Sequence, residues 1–448
     1  MESSSGVKVL EKTTVTPPAG SVPPTSTILL TDFDRLCYEL NPVQRLFLYS
    51  LPSCSESTFL KTQIPSLKHS LSLSLQRFFP LAGKLLQADP TPSKLSYTEG
   101  DGVDFTVAVT CDDHDFDDLV GHHPRQATTF AGLVPKLTEG VLAIQVTLFP
   151  HSGIGVGVTY HHGAIDGSSN MQFLKTWAAF SRRNIIAADV EVDVELPCFN
   201  RNVVSELPGL SKDVMNENMD VFKEKLKNDP RFRLSLFSLG VDSDSVRATF
   251  VLTRFQIENL RRKILLLSSP SATYLSAFTL ATAIMWRCMV SLINSYDPDE
   301  INEFESCNFF SNFRSQPTSK FPSNYFGNCI IPGGAKMRRD ELLGEDGLVK
   351  AVVRITQAIQ IMKTEPIFED ITNVSMMFTL AGSPKLGVYK VDFGWGRPRK
   401  VEVISIGKAT CMSLAENRDD DEGGFEIGVL LNADRFQHLR NLFLAIVS

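Results

Sequence analysis

His162 and Asp166, with three residues between them, are a pair whose types and spacing suit proton transfer. An imidazole has the side-chain pKa nearest neutrality, so it can take a proton and return it. A second histidine, His161, stands directly before it. The same residues also suit a hydrogen-bonded structural histidine at a strand end, and spacing alone leaves both readings open. Rival chemistry has thinner support. The run 112–118 holds five aspartates and one histidine, but no other ligand stands at matched spacing, so it reads as a solvated acidic turn. The chain lacks the glycine-flanked serine elbow, the phosphate loop, the HExxH zinc helix and the dinucleotide fingerprint.

The elements that must position the histidines are legible around them. Ile154, Val156, Val158 and Tyr160 alternate with Gly155, Gly157, Thr159 and His161, the period of a strand with one apolar face. Ser169 followed by Gln172 predicts a capping box, and Phe173, Leu174, Trp177 and Phe180 then recur at helical spacing. His162 thereby falls on a strand-to-helix loop, where a rigid frame can hold a polar side chain against a cleft. Gly153, Gly155 and Gly157 read as close packing within the strand.

Further from the pair, residues 1–28 read as an extended arm with a strand over 7–15, and 60–79 as a helix stopped by Pro80. Strands are expected over 95–110 and 141–149, then a long crossover over 183–230 containing a short helix near 215–227. The second half predicts a strand over 247–253 and helices over 256–267, 276–289 and 348–362, with Trp286 as core. Strands over 387–392 and 401–405, a hairpin of 412–416 with 425–431 about an acidic turn, and a helix from Ala433 complete the reading. Helices interspersed with strands make an α/β protein, and 448 residues exceed one core, so two domains are expected.

A net charge of -7 argues against a nucleic-acid partner. Eight cysteines without a CxxC pair suggest buried thiols in a reducing compartment. The N-terminus lacks the apolar core of a signal peptide, and no run reads as long enough to span a bilayer, so a cytosolic protein without a membrane partner is expected.

His162-Gly163-Ala164-Ile165-Asp166 matches the HxxxD motif of the plant BAHD acyltransferases, and Asp392-Phe393-Gly394-Trp395-Gly396 reproduces that family's DFGWG motif, about 230 residues later and in the same order. Thr31-Asp32-Phe33-Asp34 and Phe79-Pro80-Leu81-Ala82-Gly83 resemble its opening turn and its FPLAGR segment. Tyr325-Phe326-Gly327-Asn328-Cys329 is similar to the YFGNC motif of the branch that acylates glycosides of anthocyanins, flavonoids and simpler phenols.

The resemblance implies two similarly folded domains of the chloramphenicol acetyltransferase type, with mixed sheets flanked by helices and an active-site channel at their interface. Residues 1–190 would carry HxxxD, 191–230 would be the crossover, and 231–448 would carry YFGNC and DFGWG. It implies a monomer that uses acyl-CoA as a co-substrate, with no tightly bound cofactor and no metal. His162 would be the general base for a sugar hydroxyl of a phenolic glycoside. Asp166 would turn away from it and pair with an arginine, for which Arg314 is the candidate by position. Asn312, where an acidic residue is usual, and Asn200 depart from the pattern.

Asp392 and Trp395 would serve structurally, with Trp395 near the channel. Candidates for contact with CoA are Trp395, Ser271, Thr273, Lys263 and Lys385. The basic helix end that includes Arg261, Arg262 and Lys263 also suits a solvated surface. Ala381 and Ser383 stand where some branches place a Thr and a Trp that stabilise the oxyanion, so the resemblance supplies no oxyanion group here. The 381–386 segment resembles malonyl-transferring members, with Ser383 and Lys385 where several hydroxycinnamoyl-transferring members have a Trp and an Arg, which favours a malonyl donor with Lys385 as the partner of its carboxylate. The alternatives at this point are a hydroxycinnamoyl donor, a non-catalytic ligand-binding relative and a thioester hydrolase.

Overall fold

The glycines of the 153–161 segment show how its sequence sets local packing. A Cβ on Gly157 would lie 2.3 Å from the Leu133 carbonyl oxygen, and one on Gly153 would lie 2.2 Å from that of Tyr49. The strand Gly153–Tyr160 is buried on both faces, not on one, because the 133–135 loop covers its glycine side. The computed structural model describes residues 6–88, 91–111, 115–183, 195–205, 241–267, 275–296, 303–315, 321–364, 378–407, 411–419 and 423–448, with Glu224 and Asn228. Most of the expected crossover and its short helix lie outside these residues.

Two large mixed sheets organise the chain. The first runs Val7–Val15, Val103–Thr110, Leu142–Phe149, Gly153–Tyr160, Val43–Ser50 and Lys400–Val403. The second runs Ile330–Arg338, Phe304–Asn312, Thr379–Gly382, Cys411–Glu416, Phe425–Asn432, Ser245–Leu252 and Arg125–Gln126. Helices Ile64–Arg77 and Gly167–Arg182 share the core of the first sheet and are joined where the Trp177 indole donates to the Leu67 carbonyl at 3.1 Å. Helices Ala277–Tyr296, Gly347–Thr364 and Ala433–Val447 share the core of the second.

Each large sheet takes its last strand from the other half of the chain. Lys400–Val403 pairs with Val43–Ser50, and Arg125–Gln126 pairs with Ser245–Leu252. The exchanged strands are tied to each other by a buried ion pair, Arg125 Nη2 to Glu402 Oε1 at 2.9 Å, beside a second pair of Lys400 with Glu426 at 2.6 Å. Arg247 adds a hydrogen bond to the Val403 carbonyl at 3.0 Å. These bonds hold the seam between the sheets at a fixed geometry.

Several local expectations change. The strand expected over 387–392 is instead a pair of tight turns, Pro384–Leu386 and Val388–Lys390, because Gly387 adopts a left-handed φ of 65° between them. The strand expected over 95–110 is two strands in different sheets, Thr91–Thr98 and Val103–Thr110, separated at Gly100 with φ 98°. The helix expected over 60–79 begins as a wide π turn, Phe59–Gln63, before Ile64–Arg77. Ala277–Tyr296 is long and apolar enough to cross a bilayer, which corrects the expectation that no run is. Its Trp286, Ala283 and Met285 are fully buried in the second sheet's core, which accounts for its apolar composition. None of the eight cysteines is in a disulfide, and Cys111 is exposed, not buried as expected.

Candidate active site

His161 and His162 follow the end of the Gly153–Tyr160 strand, and Asp166 caps the Gly167–Arg182 helix. Asp166 Oδ1 accepts the Ser169 amide at 2.9 Å. The capping box expected from Ser169 and Gln172 is therefore displaced, since the helix begins two residues before Ser169. The Ser169 hydroxyl instead bridges the Gly327 backbone, donating to its carbonyl at 2.9 Å and accepting from its amide at 3.0 Å.

The other partners of the Asp166 carboxylate are Arg314 and the Cys329 amide. Arg314 Nη1 donates to Oδ2 at 2.7 Å, Arg314 Nη2 to Oδ1 at 3.3 Å, and the Cys329 amide to Oδ2 at 3.0 Å. Both side chains of this pair are buried. Asn312 does not disturb it: its Oδ1 accepts from the Arg314 amide at 3.1 Å and from Nη1 at 3.2 Å. Asn200 accepts the Asn202 amide at 3.0 Å, and Arg201 donates to the Phe326 carbonyl at 2.6 Å.

A second buried acid holds the loop from the other side, and the sequence reading gave it no role. Asp34 accepts the Thr31 amide and hydroxyl through Oδ2 at 2.9 and 2.8 Å, and the Asn328 amide and side chain through Oδ1 at 2.9 and 3.0 Å. Asn328 Nδ2 also donates to the His162 carbonyl at 2.8 Å. The opening turn, the YFGNC segment and the HxxxD loop thus form one buried polar network. The motifs were visible in the sequence, but their contact was not.

His162 is half-buried, and burial pulls its pKa below 6.5, opposed by its own backbone carbonyl, by the charge on Asp166 and by Asn328. At neutral pH its imidazole is the uncharged, proton-accepting form. His161 is pushed down to about 4 by burial and by its charged-form repulsion with His162. It stacks on Tyr38 at 5.0 Å, and its Nδ1 accepts the Gly163 amide at 3.1 Å. That hydrogen bond uses one nitrogen for loop geometry.

His162 lines a cavity of about 260 Å³ at the seam of the two sheets. Val43, Arg45 and Tyr160 enter it from the first sheet, and Asn312 and Thr379 from the second. Ala381 and Ser383 line it too, whereas Asp392, Trp395, Lys385 and Lys263 do not. Asp392 Oδ1 accepts the Gly394 and Gly396 amides at 2.8 and 2.9 Å, closing a turn whose glycines have φ of 104° and 84°. Trp395 donates to Gln63 at 3.0 Å and lies edge-on to Tyr49 at 5.3 Å, so it packs away from the cavity. Lys385 is exposed on the Pro384–Leu386 turn, and Lys263 is exposed on the helix Arg254–Leu267. Ser271 and Thr273 lie outside the described residues. Among the described residues no cluster of His, Cys, Asp or Glu could hold a metal, and Asp115 caps the short helix Phe116–Leu119. The sequence reading also missed Arg45; its only signal was a charged residue within the apolar strand Val43–Ser50.

Comparison with known proteins places the chain among enzymes. A model of the Transferase family matches residues 5–443. Malonyl-coenzyme A:anthocyanin 3-O-glucoside-6''-O-malonyltransferase of Dahlia pinnata is 33% identical, over 99% of this chain and 98% of its own. Phenolic glucoside malonyltransferase 1 of Arabidopsis thaliana is 32% identical, over 98% of each. A coumaroyl-CoA:anthocyanidin 3-O-glucoside-6''-O-coumaroyltransferase of Arabidopsis thaliana is 33% identical, over 95% of this chain and 94% of its own. Among solved structures, vinorine synthase shares the fold, with a TM-score of 0.71 at 17% identity, over 99% of this chain and 98% of that one.

Proposed function

The chain belongs to the Transferase family, the BAHD acyltransferases, and from that membership we propose that it transfers an acyl group from CoA to a sugar hydroxyl of a flavonoid, anthocyanin or phenolic glucoside. Malonyl is favoured over hydroxycinnamoyl as the acyl group, because malonyltransferases stand among relatives that match it over nearly its whole length. Acyl-CoA acts as a co-substrate. The observation that carries the reading is the His162 imidazole, its pKa lowered by burial, on the wall of a cavity at the seam of two sheets.

A hydroxyl is a weak nucleophile at neutral pH, so the transfer needs a base held at the reacting atom. In this mechanism the His162 imidazole takes the proton of the acceptor hydroxyl as its oxygen bonds to the thioester carbonyl carbon. The tetrahedral intermediate collapses with cleavage of the C–S bond, and the imidazolium returns the proton to the departing CoA sulfur. The products are an ester and free CoA. Such a positioned base contributes roughly 10²- to 10⁴-fold in rate. Asp166 and Asn328 act on the chemistry through His162, by holding its loop and by opposing the fall in its pKa.

Thiol release from malonyl-CoA, measured with and without a phenolic glucoside, tests this. Wild type is expected to release CoA only when the acceptor is present, His162→Ala to lose most of that rate while staying folded, and His161→Ala to be milder. Equal rates in wild type and His162→Ala refute the assigned base, and release without acceptor refutes the transfer. We further propose a cytosolic monomer, since eight unpaired thiols suit a reducing compartment. Fractionation of a tagged chain with secreted or vacuolar material would oppose that location, and a dimeric mass in solution would oppose the monomer.

A further inference from the structure

One group in the cavity has no part in the transfer chemistry described so far. Arg45 stands on the strand Val43–Ser50 among the buried apolar residues Leu46, Phe47 and Leu48. Its cross-strand partners are Val158 on one side and Val403 on the other, while Val43 pairs with Tyr160. Side chains opposite one another, or two apart along a strand, share a sheet face. Arg45, Val43, Tyr160 and Val403 therefore form one face, and all four line the cavity that holds His162.

A guanidinium carries a permanent positive charge and five N–H donors. Arg45 is 4% exposed, its Nη1 meets only the Met171 sulfur, at 3.3 Å, and its Nε is buried without a partner. Among the described residues no carboxylate lies within ion-pair distance of it; burial disfavours its charge, and Tyr160 and Glu416 favour it only from further away. The other buried arginines are answered. Arg125 meets Glu402 at 2.9 Å, Arg314 meets Asp166 at 2.7 Å and Arg339 meets Glu305 at 2.7 Å, while Arg247 donates to two backbone carbonyls. A buried cation without a counter-charge is costly, and a ligand carboxylate matches the guanidinium fork in both charge and shape.

We propose that Arg45 receives a free carboxylate carried by the acyl group of the donor, so that the donor class is a dicarboxylic acyl-CoA thioester, with malonyl-CoA as its short member. This rests on the acyl-transfer reading and deepens it. The carboxylate of a malonyl group is one methylene from the thioester carbonyl, so its receptor must share the space in which His162 acts. Arg45 shares it; Lys385, the cation expected from the sequence, is exposed on a turn outside the cavity. An uncharged acyl group would leave the guanidinium unanswered.

The test measures kcat/KM for malonyl-CoA and acetyl-CoA with one phenolic glucoside, in wild type, Arg45→Met and Arg45→Lys. Wild type is expected to prefer malonyl-CoA, Arg45→Met to lower the malonyl-to-acetyl ratio by about 100-fold, and Arg45→Lys to recover part of it. An equal loss with both donors in Arg45→Met assigns Arg45 to the fold and overturns the proposal, as does no loss with either. Should Arg45→Met not fold, wild type and Arg45→Lys decide: equal kcat/KM for both donors in wild type, or an unchanged ratio in Arg45→Lys, overturns it. Wild type that transfers acetyl or coumaroyl but not malonyl refutes Arg45's role alone. Wild type that transfers no acyl group refutes the acyltransferase reading, and the proposal with it.

Discussion

Removing the Asp166 carboxylate separates support of the histidine loop from a direct part in the chemistry. In Asp166→Ala, Arg314 loses contacts at 2.7 and 3.3 Å, the Cys329 amide loses one at 3.0 Å, and the helix Gly167–Arg182 loses its cap at 2.9 Å. The Arg314 side chain is only 5% exposed, so its charge stays buried without a counter-ion. Breaking such a pair costs about 3–5 kcal/mol, and losing the cap about 1 kcal/mol more. Arg314 keeps its bonds to the Tyr325 and Gly327 carbonyls at 3.0 and 2.8 Å, which offsets part of this. The expected net loss is about 3–4 kcal/mol in a urea titration. Asp166→Asn, which retains a cap acceptor, is expected to lose about half as much. A double-mutant cycle with Arg314→Met should show strong coupling, because the second change removes the stranded charge. Acyl-transfer rates are expected to fall alongside stability in each variant. Lost activity in an Asp166→Ala protein as stable as wild type would refute the supporting role and put the carboxylate in the chemistry.

Four other outcomes follow from the electrostatics and the packing. Burial lowers His161 to about 4, so between pH 6.5 and about 4 the unfolded chain binds a proton that the folded chain refuses. Stability is thus full above pH 6.5 and declines as pH falls toward 4; His161→Phe, which keeps the stack on Tyr38, should flatten the decline in urea midpoints, and an unchanged slope refutes the assignment. The depressed His162 pKa likewise places the acid limb of the pH–rate profile below 6.5. Gly157→Ala drives a Cβ to 2.3 Å from the Leu133 carbonyl oxygen and 2.9 Å from the Val134 Cα, both backbone atoms, and should cost about 1–3 kcal/mol. Gly155→Ala, whose nearest contact is the Phe149 ring at 3.2 Å, should cost less, and the reverse order in denaturant melts refutes the packing argument. A chain cut at a specific protease site inserted within residues 191–230 should leave two fragments that co-elute on size exclusion, since each sheet contains a strand from the other half; separation without denaturant refutes the strand exchange as a tether.

Features carried by neighbouring residues were legible in the sequence. Alternation and helical spacing placed His162 between a strand and a helix, and two segments flanking an acidic turn gave the hairpin of Cys411–Glu416 with Phe425–Asn432. The Asp166 to Arg314 pairing came with the family resemblance, not from spacing. Local patterns failed where a backbone angle decided the matter, as at Gly387, whose left-handed φ turns an apparent strand into two turns. They failed again at the helix start, where Asp166, and not Ser169 three residues later, is the cap. The tertiary structure alone brought Asp34 to Asn328, which are 294 residues apart, and set Arg45 in the cavity with His162. It also laid Lys400–Val403 into the first sheet. The physical reason is that propensity and periodicity depend on a few adjacent residues, whereas a buried charge's partner depends on which distant strands meet at the seam.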